Sequence, residues 1–476
     1  MEQIRRTKIV ATVGPATDDP ARLRALIEAG ANILRLNMSH GQIADHRRRF
    51  EMAKALSEEL DKPVGILVDL QGPKIRIARF AEGKVHLKKG QSFLLDAKLA
   101  SDCGDETQVG LDYPALTKDV KAGDRLLLDD GRIVLDVITV EDTVVSCQVI
   151  VGGDLSNNKG INLQGGGLSA KALTEKDKND IRSVADWDID YFAISFPRSA
   201  QDIHEARELL RQAGSVAKLI AKIERTEAVN AIDDIIQASD GVMVARGDLG
   251  VELGFAELPA VQKEIIHRAR TLDKAVITAT QMMESMIHSP IPTRAEVSDV
   301  ANAVLDGTDA VMLSAESASG NFPVEAVQAM HDVCFAAERH QVSRLSRHRV
   351  DKQFGRVDEA IAMAVMYTAN HIDIAAIIAL TESGSTPLWM SRIRSSVPIF
   401  GLSRHRRTCG LMTLYRGVYP IYFDVTAGKA WEVSQRAIAF LKEKGYLKSG
   451  ERVIVTKGDV IGIDGGANAM KILIVP

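Results

Sequence analysis

The chain has 476 residues, 26% of them charged and 46% hydrophobic; at roughly 150 residues per domain this length suggests about three domains, and the composition excludes wholesale disorder. With 59 basic and 63 acidic residues the formal net charge is −4, so the overall charge does not favour nucleic acid or anionic membranes as partners. No apolar run approaches the ~18 residues of a membrane helix, and the N-terminal MEQIRRTKIV has no apolar signal core, so a cytoplasmic location is expected.

Cys103, Cys147, Cys334 and Cys409 lie far apart and form no CxxC pair. Four thiols in so long a chain suit a reducing compartment, and all four are expected to be buried as small hydrophobes.

Short apolar runs separated by helical stretches dominate the sequence. TKIVATVG (7–14), ANILRLNMS (31–39) and PVGILVDLQG (63–72) come first; after a gap follow YFAISF (191–196), AKLIAKIE (217–224), DGVMVARGD (240–248), KAVITATQ (274–281) and DAVMLSAE (309–316). They read as eight buried strands. The segments between read as helices: ARLRALIEAGA carries Leu23, Leu26 and Ile27 on one face and stops at Gly30. Eight alternating units predict a (β/α)8 barrel built from 1–72 and 170–345, with a doubly wound sheet as the alternative. In the gap, 73–169, the helix signal fades and KVHLKKG, RLLLDDGRIVLDVITV and TVVSCQVIV read as an inserted small β domain. GGDLSNNKG and QGGGLS read as its Gly-rich hinge. The polar, basic SRLSRHRVDKQ (343–353) reads as a linker to a C-terminal α/β unit, 346–476. There DEAIAMAVMYTANHI predicts a helix, and AAIIAL, VPIFGL, YPIYF and ERVIVTKGD predict a mainly parallel sheet.

A barrel of this kind carries its site at the C-terminal strand ends, and successive strand residues point to opposite faces. Strand two ends RLNMSHG, placing Arg35, Asn37 and Ser39 on one face. Three inward polar groups are costly to bury unless a ligand, an ion or an internal hydrogen-bond network satisfies them. Asp69 closes strand three and can join the Asn37 and Ser39 oxygens in a cation site, or cap a helix. Lys222 and Glu224 share a face at the end of strand five, to serve an anionic substrate or as a structural ion pair. Asp248 ends strand six between Gly247 and Gly250, which allow close backbone approach to a ligand. Glu224 and Asp248 on adjacent strand ends suit Mg²⁺, usually held by one or two carboxylates plus substrate oxygens and water; no His/Cys cluster competes, which argues against zinc. Thr280, ending strand seven, faces inward beside the expected metal or caps a helix. Ser314 and Glu316 after strand eight are expected behind these groups. Two basic groups beside a carboxylate-held divalent ion are the equipment of phosphoryl transfer. The absence of a GxxxxGK[ST] loop and of HRD and DFG motifs excludes P-loop NTPases and protein kinases.

Taken together, KIVATVGPAT, RLNMSHG, VDLQGPKIR, LDDGRI, NNKGIN, ISFPRS, AKIE, MVARGDLGVE, ITATQMMESM and PTRAEVSDVANAVLDGTDAVMLSAE resemble the pyruvate kinase family, in order over the first two-thirds of the chain. The LQGPKIR and ARGDLGVE signatures are most similar to its bacterial form. The resemblance implies phosphoryl transfer from phosphoenolpyruvate to ADP, giving pyruvate and ATP at the end of glycolysis. By position, Lys222 would stabilise the transferring phosphoryl group and the developing enolate, and Arg35 would bind that group. Glu224 and Asp248 would hold Mg²⁺, with Mn²⁺ as an alternative. The Gly247–Asp248 backbone and Thr280 would hold the pyruvate carboxylate, and Thr280 would aid proton delivery. Asn37, His40, Arg76 and Lys159 would contact the nucleotide, and the insert would close as a lid.

Asn37, Ser39, Asp69 and the Leu70 carbonyl match the family's potassium ligands. Members that need potassium carry glutamate where this chain has Lys74, whose ammonium is expected to supply the same charge, so K⁺ is not expected to be strictly required. The C-terminal part resembles the family's regulatory domain. In it Thr381, Ser383, Gly384, Ser385 and Thr386 would form a phosphate cradle for a phosphorylated sugar activator, a monophosphate in preference to a bisphosphate, or a capped turn. Arg404, Arg406 and Arg407 would add charge. Family members are usually homotetramers. Two competing readings are a Mg²⁺-dependent barrel lyase without a nucleotide, and a non-catalytic sugar-phosphate sensor, which would have lost Lys222 or a metal carboxylate.

Overall fold

The computed structural model describes residues 4–340, 353–426, 432–460, 462 and 464–476. The expected linker, 343–353, lies outside the described residues except for its last position. Eight parallel strands close into a barrel: β1 (Lys8–Thr12), β2 (Ile33–Asn37), β3 (Gly65–Asp69), β4 (Tyr191–Ile194), β5 (Lys218–Ile223), β6 (Gly241–Ala245), β7 (Ala275–Ala279) and β8 (Ala310–Leu313). Each pairs with its sequence neighbours, and β8 returns to β1 through Lys8 opposite Ala310. The doubly wound alternative is thereby set aside.

Alternation along these strands sorts their side chains into two cores. Ile9, Leu34, Leu36, Ile66, Val68 and Phe192 pack outward with helix residues such as Leu23, Leu26 and Ile27. Val10, Ile33, Leu67, Ala193, Ile220 and Met243 fill the lumen. By the period of two, the lumen face then carries Thr12, Arg35, Asp69, Ser195 and Lys222 toward the C-terminal rim. The helix Pro20–Glu28 begins at Asp19, whose carboxylate accepts from the Arg22 amide at 3.1 Å, and breaks at Gly30, with φ 125°.

Between β3 and β4 the chain leaves the barrel to form a six-stranded sheet, in the order Ile161–Leu163, Arg125–Leu128, Ile133–Glu141, Val144–Val151, Ser92–Asp96, Gln108–Gly110, with a two-stranded ribbon of Lys84–Leu87 and Gly153–Ser156 beside it. Phe93, Leu95, Leu126 and Leu135 centre a core of its own. Gly165, Gly166 and Gly167 bring it back with φ of 85°, 83° and 112°. This return is anchored to the barrel: the Glu227 carboxylate accepts from the Gly167 amide at 2.5 Å, and Arg225 donates to the Leu168 carbonyl at 3.2 Å.

The C-terminal sheet runs Val418–Tyr422, Ile399–Ser403, Ala376–Leu380, Arg452–Lys457, Ala469–Ile474. The first four strands are parallel, and the last is an antiparallel edge that sequence reading missed. Its half-exposed AMKILI lacks the buried run of its neighbours. Cys147, Cys334 and Cys409 are buried, and burial pushes each thiol up to about 12. Cys103 is exposed, against expectation, because it lies in a polar loop of the insert. Among the described residues no helix is long and apolar enough to cross a membrane.

The C-terminal domain seals the barrel floor. Tyr191 donates to the Leu411 carbonyl at 2.5 Å, and Arg392 pairs with Asp309. Asp190, fully buried at this seam, accepts from the Ile66 amide at 2.7 Å, while its other oxygen has no partner among the described residues. Burial pushes its carboxyl up to about 7. An acid whose folded-state pKa is raised favours folding in its protonated form, and that contribution is lost as pH rises through the folded value. Asp190→Asn is therefore expected to raise Tm above the parent at pH 8, with the gap closing toward pH 5. Thermal unfolding across that range checks it.

Candidate active site

The rim of the barrel collects charges that only each other can satisfy. Arg35 points inward from β2, donating from Nε to Asp69 Oδ2 at 2.7 Å and from Nη1 to Thr12 Oγ1 at 2.9 Å. The other Asp69 oxygen lies 3.2 Å from Lys222 Nζ. Burial alone would raise the Asp69 carboxyl, but the charges of Lys222 and Arg35 outweigh it and hold it below the usual carboxylate range. Lys222 also contacts Glu224 Oε1 at 3.0 Å and donates to Ser195 Oγ at 2.7 Å. Burial opposes its charge, yet Asp69 and Glu224 keep its pKa above the ordinary lysine value. Ser195 in turn donates to the Leu70 carbonyl at 2.7 Å. Sequence reading overlooked Ser195; the only signal was its parity with the inward Ala193 at a strand end.

Glu224 is 2% exposed and accepts from the Phe196 amide at 2.8 Å. Burial raises its carboxyl; Lys222 opposes the rise and the Asp248 charge adds to it. Asp248 does not end a strand as expected. β6 stops at Ala245 and the helix Arg246–Leu253 begins at once, so Asp248 sits in its first turn. Glu224 and Asp248 therefore converge from a strand end and a helix start.

Thr280 has φ 64°, a left-handed conformation strained for a β-branched residue. Its Oγ1 accepts from the Gly247 amide at 2.9 Å and donates to the Ala279 carbonyl at 2.7 Å, so it caps the helix of the neighbouring βα unit from the side. Arg246, also overlooked, holds that geometry. It pairs with Asp299 at 2.6 Å and donates to the Thr280 carbonyl at 2.7 Å. Glu316 lies behind, accepting from the Ser314 and Met283 amides at 2.7 and 3.2 Å.

Several expected residues are placed otherwise. Ser39 lies beyond the end of β2, its amide donating to Asn37 Oδ1 at 3.2 Å. Lys74 does not contact Asp69, whose oxygens are taken by Arg35 and Lys222; its Nζ lies 3.3 Å from Asp248 Oδ1. It arrives there from the first residues of the insert. The cleft between insert and barrel, about 290 Å³, is lined by Lys74, Asn162, Phe196, Asp248 and Glu252. Burial pushes the Glu252 carboxyl up to about 7.

Among the described residues no hydrogen bond or ion pair joins His40, Arg76 or Lys159 to this network. His40 is exposed, Arg76 donates to the Asn158 carbonyl at 2.9 Å, and Lys159 pairs with Asp129 at 2.6 Å.

In the C-terminal domain, Thr381, Ser385 and Thr386 line a cavity of about 630 Å³ with Glu382, Lys457 and Gly465. Thr381 Oγ1 accepts from the Gly384 amide at 2.9 Å, and Gly384 has φ 82°. Ser383 lies beside Ser385, 3.4 Å between hydroxyls, and is not part of the lining. The expected arginines are not on this cavity. Arg404 is held by Glu382 at 3.1 Å, Arg406 pairs with Glu58 at 3.5 Å, and Arg407 donates to the Val216 carbonyl. They bind acceptors of their own, two of them on the barrel. Among the described residues Lys457 is the cation that lines the cavity, and sequence reading passed over it.

Among the described residues no group of three or more His, Cys, Asp or Glu side chains is arranged to hold a metal. Glu224 and Asp248 offer two carboxylates whose charges oppose each other, a donor set that fits a divalent ion completed by substrate oxygens and water. An eight-stranded barrel with a lysine, an arginine and two converging carboxylates at its C-terminal mouth defines a phosphotransferase of the barrel class. The family model of the pyruvate kinase barrel domain matches residues 4–327, and that of the pyruvate kinase alpha/beta domain matches 359–473. The chain is 57% identical over 477 residues to pyruvate kinase II of Salmonella typhimurium, covering 99% of both. It is 55% identical over 460 residues to a pyruvate kinase of Haemophilus influenzae, covering 96% of both. To a pyruvate kinase of Methylorubrum extorquens it is 41% identical, covering 98% of that protein. The chain belongs to the pyruvate kinase family.

Proposed function

We propose that the barrel mouth transfers the phosphoryl group of phosphoenolpyruvate to ADP, giving pyruvate and ATP. The observation that carries this reading is the convergence of Lys222, Arg35, Asp69 and Glu224 in one buried network, with Asp248 and Thr280 beside it. Lys222 and Arg35 present positive charge where the transferring group would lie, and burial strengthens that charge because little water screens it. Thr280 and the Gly247–Asp248 backbone would orient the substrate carboxylate, and Thr280 would aid proton delivery to the enolate carbon. Glu224 and Asp248 would hold Mg²⁺ or Mn²⁺, which when bound would neutralise substrate oxygens. Asn37, His40, Arg76 and Lys159 would receive the nucleotide. The insert, with the Gly-rich return of 165–167, would close over the mouth to exclude water.

A lyase or a dead sensor fits less well, since the charged set is complete and one of its members, Asp248, lines the cleft between insert and barrel. A coupled assay of pyruvate formation separates the readings: turnover is expected only with ADP. Lys222→Met is expected to lower kcat on the order of 10² to 10³-fold. Pyruvate release without ADP, or full turnover by the variant, would contradict the proposal.

We also propose that activity depends little on K⁺. Asp69 is already neutralised by Arg35 and Lys222, and the Lys74 ammonium adds positive charge at the mouth. Turnover in Mg²⁺ and potassium-free, sodium-free buffer is expected to stay within ten-fold of that with K⁺; a larger rise on adding K⁺ refutes this.

The C-terminal cavity is proposed to take a sugar monophosphate activator, supported by the Thr381–Thr386 turn and Lys457 on its wall. Ser385→Ala combined with Thr386→Ala is expected to abolish activation in steady-state assays against a panel of sugar monophosphates; persistent activation places the site elsewhere. A homotetramer is part of the same reading, and a light-scattering mass of one chain would remove it.

A further inference from the structure

Arg270, Arg392, Arg394 and Arg416 meet where the barrel floor abuts the C-terminal domain, around a narrow cleft that Gly307 and Asp309 also line. Part of this cluster has evident partners. Arg392, 1% exposed, pairs with Asp309. Arg394 donates to the Leu305 and Asp306 carbonyls at 3.0 and 3.1 Å, and Arg416 Nη1 donates to the Val304 and Thr308 carbonyls, both at 3.0 Å. The helix Arg294–Asp306 ends there, and cations suit a helix C-terminus.

The remainder is not accounted for. Arg416 is 9% exposed, and its Nη2 has no partner among the described residues. The Arg270 guanidinium makes no hydrogen bond or ion pair with any described residue. Its Nη1 and Arg394 Nη2 both point at Gly307, 2.8 and 3.0 Å from where a side chain there would begin. Asp309 pairs with Arg392, Asp306 with Lys263 and Glu338 with Arg6, and the same three carboxylates also act on Arg270, Arg394 and Arg416 through space. Burial, reinforced by the charges of Arg394, Arg392 and Arg416, pushes Arg270 down to about 9. Four guanidinium groups meet a single carboxylate, Asp309, in the lining of this half-buried cleft, which leaves positive charge in excess, and their planar forks match tetrahedral oxyanions.

We propose that this cleft binds a phosphate dianion, free or as the terminal group of a small ester, between Arg270, Arg394 and Arg416. The bare Gly307 lets the Arg270 and Arg394 guanidiniums reach the backbone there, and the site joins barrel to C-terminal domain. It shares no residue with the cavity at Thr381–Thr386.

Thermal unfolding of the full chain in inorganic phosphate, in glycerol phosphate and in chloride of equal ionic strength tests this, on the parent and on Arg270→Gln. In chloride the variant is expected to melt higher than the parent, because a repulsive charge is gone. Saturating phosphate is expected to raise the parent Tm by about 3 °C and to raise the variant by less than half as much. A response confined to one anion identifies the source. Arg270→Lys, which keeps the charge and loses the fork, is expected to respond less than the parent if Arg270→Gln does not fold. Equal phosphate shifts in parent and variant overturn the proposal.

Discussion

Asp69 is the constraint on which the mouth depends. It is 1% exposed, yet it holds Arg35 through one oxygen and Lys222 through the other. A buried carboxylate costs several kcal/mol unless paired, and so does each buried cation. None of the groups in this network could be buried alone; together they fix the lysine ammonium against Glu224 and Ser195. The stability of the rim and the preorganisation of its charge are thus one property. Removing Asp69 would leave two cations facing each other across the lumen.

The scaffold around that network divides the work. The lumen core of Val10, Ile33, Leu67 and Ile220 gives rigid strand ends, and the helix beginning at Arg246 brings Asp248 in from a second element. Arg246 touches no rim charge. It holds the strained Thr280 through its carbonyl and through Asp299, so a residue deeper in the fold sets where a hydroxyl at the surface of the cleft stands. The insert contributes Lys74 to Asp248. The mouth is therefore assembled from three separate sources.

Much of this was legible in the sequence, because a barrel strand announces itself by a buried run and its alternation assigns each rim residue a side. Arg35, Asp69, Lys222 and Glu224 follow from that rule. Asp248 was misassigned because MVARGD continues the apolar run without a turn signal, while the backbone passes from strand to helix between Ala245 and Arg246. Ser195 gave no signal beyond parity, since a lone serine after YFAI is ordinary. Lys74 could not be placed, because its position depends on how the insert docks and not on local pattern. Arg406 and Arg407 read as part of a phosphate cradle, but acceptors on another domain draw them away. What the sequence withheld were relations between distant segments.

One such relation shapes how this molecule could be taken apart. At the seam under the barrel, a side chain on Gly65 would collide with the Thr413 hydroxyl and the Gly410 carbonyl, and one on Gly410 would collide with the Asp190 carboxylate. The two modules thus touch backbone to side chain at a pair of bare positions, one contributed by each. A single added carbon on either surface would force its neighbours across the seam to shift. The C-terminal module could be grafted onto another barrel only if that recipient offered an equally naked floor.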